Sequence, residues 1–125
     1  MDSDKSGTAR AQPIEFDRLL DRCMGRVELM ERVLSNFRVS AEKEIGQLTA
    51  AIDHGEQATI LASSHKLKGT SLTVSASALA GIAEQLHAAA LHECDGELAS
   101  FSSMLLDEFE AITQSLDARK LGGDR

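Results

Sequence analysis

Apolar residues recur every three or four positions along most of this chain. The clearest run is Val27, Met30, Leu34, Phe37, Ala41, Ile45, Leu48 and Ile52. That spacing predicts one long helix over about 26–53, apolar along one stripe, with Glu28, Glu31, Arg32, Glu42 and Lys43 among its outer residues. Gly55 is positioned to end it in the left-handed conformation common after a last turn. Upstream, Pro13 suits the first turn of a short helix over about 14–23, whose apolar content is Ile14, Phe16, Leu19 and Leu20 and which Gly25 breaks. Downstream, Ile60, Ser64, Leu67, Ser71 and Val74 form the inner seam of a third helix over about 56–73. Leu79, Ile82, Ala83, Leu86 and Ala90 define a fourth over about 77–91, with Ser75 or Ser77 available as its cap. Leu98, Phe101, Leu105, Phe109, Ile112 and Leu116 define a fifth over about 97–118.

Four amphipathic helices with short connections pack most simply as an up-down-up-down bundle, here with the short first helix capping one end. Composition agrees with an all-α fold. The 125 residues contain no Trp or Tyr, four Phe and a single Pro, so strand-favouring aromatics are scarce and more than a hundred residues run without that helix breaker. The length fits one domain, expected over 13–118, between a flexible N-terminal tail at 1–12 and a fraying C-terminal tail at 119–125.

Charge narrows the function classes. Thirteen basic against twenty acidic side chains give a formal charge of -7, and a chain that acidic is a poor general binder of nucleic acid. No run of eighteen apolar residues exists and residues 1–10 lack the apolar stretch of a secretory signal, so no membrane association and a cytoplasmic location are expected. Cys23 and Cys94 are far apart and match no CxxC pattern, which reads as reduced, structural thiols. There is no phosphate-binding glycine loop, no nucleophile elbow and no zinc-protease helix. The chain is therefore not expected to be an enzyme with its own nucleotide site, nor to hold a cofactor or metal. His54 beside Gly55 reads as a solvated histidine at a helix C-terminus. A metal site from His92, Cys94 and His87 lacks a fourth ligand at a recognised spacing.

His65 differs from these. On a helix it shares a face with Leu61, Lys68, Gly69 and Leu72, rotated away from the seam of Ile60, Ser64, Leu67 and Ser71, so it is expected to point outward in mid-helix. Glycine in a helix interior costs about 1 kcal/mol relative to alanine, and the benefit that Gly69 offers is room for a bulky group to reach the imidazole. Lys68 supplies a cation nearby. From Gln57 to Ala83 there is no Asp or Glu, and Lys66 and Lys68 are the only full charges, a window of +2 in a chain of -7. Periodicity and charge leave two readings open: an anion-friendly site, or a solvated helix face with a chance gap in acids.

The run Ser64-His65-Lys66-Leu67-Lys68-Gly69-Thr70-Ser71 resembles the signature of histidine-containing phosphotransfer (HPt) domains, H-x-L-K-G followed by two small residues on a helix of a four-helix bundle. The resemblance extends over about 14–116. It implies that His65 is a phosphoryl acceptor through Nε2, that Lys68 offsets the phosphoryl charge and that Gly69 gives the partner access. It also implies a phosphorelay role between receiver domains of response regulators, with a hybrid histidine kinase as a candidate donor and magnesium held by the partner receiver. Docking is expected around Leu61, Leu72 and Lys66, by a monomer. Two positions depart from the family pattern. Ser75 stands where many members have Gly. His87, twenty-two residues after His65, stands where a Gln or Glu often orients the imidazole, so His87 is either an orienter or a spectator. Other classes compatible with the sequence are a helical adaptor that carries no phosphate and a phosphoacceptor module of a chemotaxis-type kinase working in trans. A self-contained hydrolase lacks a second catalytic group near His65.

Overall fold

The computed structural model describes residues 12–92 and 95–123. Its helices are α1 (Phe16–Arg22), α2 (Val27–His54), α3 (Gln57–Thr73), α4 (Ser77–Leu91) and α5 (Asp95–Gly123). In the bundle α2 packs on α3, α3 on α4, α4 on α5 and α5 back on α2, while α1 rests on α2. This is the four-helix bundle with an N-terminal capping helix that the periodicity predicts. Its core is built from the expected stripes: Ile45 and Leu48 of α2, Ile60 and Leu67 of α3, Leu79 and Leu86 of α4, and Leu105 and Ile112 of α5 are all essentially inaccessible. Ile14 and Leu19 close one end. Among the described residues no helix is long and apolar enough to cross a membrane.

Three details depart from the expected pattern. Val27 does not join the α2 stripe; as the first residue of the helix it is 52% exposed, and Leu29 and Met30 take the inward positions of that turn. Neither serine caps α4: its N-cap is Ala76, without a side-chain cap bond, and Ser77 is the first helical residue. Ser75 instead adopts φ 61°, the left-handed conformation. There it closes α3 just as Gly55 (φ 67°) closes α2. In both turns the N–H after the left-handed residue returns to a carbonyl of the last helical turn, Ala76 to Ser71 and Glu56 to Ala51, each at 2.9 Å. The position asks for a left-handed backbone, at a cost of about 1–2 kcal/mol for a residue with a Cβ, and the buried Ser75 hydroxyl has no partner.

The third departure is at the C-terminus. The chain does not leave the helix at Ala118; α5 continues to Gly123. Arg119 explains the extra turn, because its guanidinium ion-pairs with Glu31 of α2 and lies over the Phe16 ring of α1, 5.2 Å from the centroid. The packed unit therefore reaches past 118. The expected N-terminal tail lies outside the described residues up to position 11, as do Cys94 and positions 124–125.

The cap fixes the end of the bundle nearest the α3–α4 turn. The Glu15 N–H donates to the Ser75 carbonyl at 3.1 Å, and Arg22 Nη1 donates to the Leu72 carbonyl at 2.7 Å. These bonds tie the capping segment to carbonyls at and just past the α3 C-terminus, Leu72 also accepting from the Ser75 N–H at 3.1 Å.

Candidate functional site

The interface of α3 with α4 is the most extensive in the bundle. Its seams are small: Ser64 and Ser71 on α3, and Ala80, Ala83 and Ala90 on α4, are all buried. Short side chains on both helices let the backbones approach. At about 100° per residue, the neighbours of these seam residues flank the contact and form the two walls of a surface groove. His65 and Lys68 stand on the α3 wall, Glu84 and His87 on the α4 wall, with Ala83, Ala88 and Leu91 completing it, around a volume of about 270 Å³. That is ample for a tetrahedral phosphoryl group yet below the range of about 300–1,000 Å³ usual for small-molecule pockets.

His65 is exposed and His87 half-buried, their ring centroids 6.0 Å apart and the rings tilted by 51°. No direct hydrogen bond joins the imidazoles, and the gap admits one small polar group between them. Across the same groove Lys68 Nζ lies 3.7 Å from Glu84 Oε2, with side chains 39% and 65% exposed. Of the expected site residues, His65, Lys68 and His87 are thus brought together. Gly69 is exposed on the same helix face, and a Cβ added there would meet no atom within 4 Å. Neither packing nor backbone conformation in the folded chain calls for glycine at this position.

The three expected docking residues have separate surroundings. Leu72 is 44% exposed one turn beyond Lys68. Leu61 is partly buried against the core and offers only part of its surface. Lys66 is exposed on the flank of α3 toward α2, where its charge acts on Glu44. On that flank a groove of about 310 Å³ runs between Val33, Asn36, Phe37 and Ser40 of α2 and Thr70, Thr73 and Val74. Its polar lining is the Asn36 amide and the hydroxyls of Ser40, Thr70 and Thr73, with no imidazole and no cation.

Two acidic residues escaped the sequence reading. Glu84 borders the acid-free window of 57–83 and lies one helical turn before His87, so the i, i+3 spacing marks it as a neighbour in the groove. The fold consequently gives the Lys68 cation an acidic companion. Glu44 sits in the α2 seam beside Ile45, buried, with Oε2 accepting from Thr70 Oγ1 at 3.4 Å and Oε1 without a partner. Burial pushes its carboxyl above the ordinary range, opposed by the charge of Lys66 and the Thr70 hydroxyl.

An exposed histidine in mid-helix, flanked by lysine and glycine on a four-helix bundle, is the arrangement of a phosphocarrier. The family model described as the Hpt domain matches residues 32–120, and the chain belongs to that family. It is a histidine phosphotransfer domain of the phosphorelay type, of the class that interacts with response-regulator receiver domains. Among solved structures it is similar to histidine-containing phosphotransfer protein B (HptB) from Pseudomonas aeruginosa PAO1. The TM-score is 0.74 at 25% identity, over 89% of this chain and 96% of that one. Among curated proteins none matches this chain.

Proposed function

We propose that His65 accepts a phosphoryl group from the aspartyl phosphate of one receiver domain and passes it to the aspartate of another. The observation that carries this is the exposed imidazole beside Gly69, a glycine with open space around it, at the mouth of a groove that also holds Lys68. In the first transfer the lone pair of His65 Nε2 attacks phosphorus in line. The P–O bond to the donor aspartate breaks, its electron pair remains on the carboxylate, and the imidazole keeps its own proton on Nδ1. The second transfer reverses these steps toward the acceptor aspartate, and the imidazole leaves neutral. Such chemistry rests on positioning and charge neutralisation more than on covalent activation. Lys68 neutralises phosphoryl charge, and Gly69 keeps the approach clear. His87 faces the same point and holds a phosphoryl oxygen or the ring of His65 in place.

The magnesium ion of this reaction belongs to the receiver, whose aspartate it serves. Leu72, the exposed part of Leu61 and Lys66 form the receiver footprint, a modest interface that releases its partner after each transfer. The domain works in the cytoplasm as a monomer, with a hybrid histidine kinase among its donors.

The test is transfer from a purified receiver, charged with acetyl phosphate and magnesium, to the wild-type chain and to His65→Gln. Acid-labile, alkali-stable label on the wild type that is absent from the variant is the expected result. No label from several receivers would overturn the proposal and favour an adaptor that binds without carrying phosphate.

A further inference from the structure

The groove is lined by four titratable side chains, His65, Lys68, Glu84 and His87, of which Glu84 has no role in the transfer just described. Its carboxylate faces the cation assigned to the phosphoryl group, 3.7 Å from Lys68 Nζ. A phosphoryl group on His65 brings about two negative charges into the groove that Glu84 lines. Lys68 is then shared between two anions, and the anions repel each other. Both ion-pair partners are more than a third exposed, so water and salt damp the effect without removing it.

We infer that Glu84 is a positioning residue that sets the transfer potential of the phosphohistidine: it holds Lys68 across the groove in the unphosphorylated domain and opposes the phosphoryl group when it arrives. The inference rests on His65 being the phosphoryl acceptor. Its consequence is directional. With Glu84 present the equilibrium between phosphorylated His65 and phosphorylated receiver aspartate leans toward the aspartate, so the domain gives up its phosphoryl group more readily than it would without this carboxylate. The P–N and P–O bonds exchanged are the same in both cases; only the electrostatic free energy of the phosphohistidine differs. Glu84 also ties Lys68 to α4, so the lysine starts on the α4 side of the groove and swings toward His65 as charge builds there.

The experiment uses the full chain with a purified receiver that the wild type phosphorylates. The ratio of phosphohistidine to phosphoaspartate is followed at equilibrium for wild type, Glu84→Gln and Glu84→Asp, at low salt and at about 1 M salt. Direct charging with phosphoramidate, read by 31P NMR, reports the phosphohistidine alone. The Glu84 side chain is 65% exposed, so both substitutions are expected to leave the circular dichroism unchanged. Glu84→Gln is expected to raise the ratio about two- to fivefold at low salt, the range of exposed charge pairs. The difference should shrink toward none at high salt, and Glu84→Asp, which keeps the charge, should stay near wild type. A purely structural role would not follow the salt. A ratio that is unchanged in Glu84→Gln, or that falls, overturns the inference while the acceptor role of His65 stands. A wild-type chain that takes no phosphoryl group from either the receiver or phosphoramidate overturns both.

Discussion

At Gly69 the folded chain offers open space and an ordinary helical backbone, so the residue is a local weakness that the fold does not require. Replacing it by alanine is expected to raise stability by about 0.5–1 kcal/mol, measured as a shift of the urea midpoint. Gly69→Phe is expected to keep the helical spectrum and to slow transfer from a receiver about 100-fold, because the ring would stand beside His65 and displace the incoming aspartyl phosphate from line. Retained transfer in the Phe variant would remove access as the reason for this glycine. Ser75 presents the opposite case. Its left-handed φ of 61° is a constraint of the turn itself, and the chain meets it with a residue less suited to it than glycine.

Helix pairs carry a second kind of tension. Glu44 is buried where α2 meets α3, and burial raises its carboxyl above the ordinary value despite Lys66 and Thr70. The native state therefore holds this proton more tightly than the unfolded chain does. Its favourable contribution is complete below the unfolded carboxylate value of about 4.3 and is lost as pH rises through the higher native value. Glu44→Gln removes the titration. The difference in Tm, variant minus wild type, is expected to grow more positive between pH 4 and pH 7. A difference that stays constant with pH would show that Glu44 titrates alike in both states.

The same pair of scales shows what the sequence made legible. The α3 and α4 boundaries follow from seams of three- and four-residue spacing, because burial of one face is a property of a single helix. So does the outward direction of His65. Glu84 beside Lys68 is a property of two helices at once, and reading charges along one window stopped one residue short of it. Glu44 stayed hidden because its neighbours, Ala41, Ile45 and Leu48, leave no sign that a carboxylate shares their face.

For the whole molecule, the C-terminal end is where periodicity fell short. Residues 119–123 lack an apolar stripe and look dispensable in the sequence, yet Arg119 joins three helices through Glu31, Phe16 and its own backbone. Its guanidinium is a cation over an aromatic face and half of an ion pair, each worth about 0.5–1 kcal/mol at a partly exposed site. Arg119→Ala is expected to lower Tm by about 3–6 °C without changing the far-UV spectrum at low temperature. An unchanged Tm would mean that buried Leu19 and the bonds to Ser75 and Leu72 hold α1 without help from Arg119. The family match begins at residue 32, so this clasp ties a helix outside the shared region to one inside it.

All four titratable side chains of the groove come from one helical hairpin, α3 and α4, joined by the three residues Val74–Ala76. Helical phase links them: a single residue inserted within α3 after Lys68, or within α4 before Glu84, turns one wall by about 100° relative to the other. The site then comes apart even with every side chain kept. An insertion in the connection between α4 and α5 leaves the phase of both walls untouched. The hairpin therefore works as a ruler: the distance in residues from His65 to His87 sets whether the two walls face each other, whatever the length of the chain on either side.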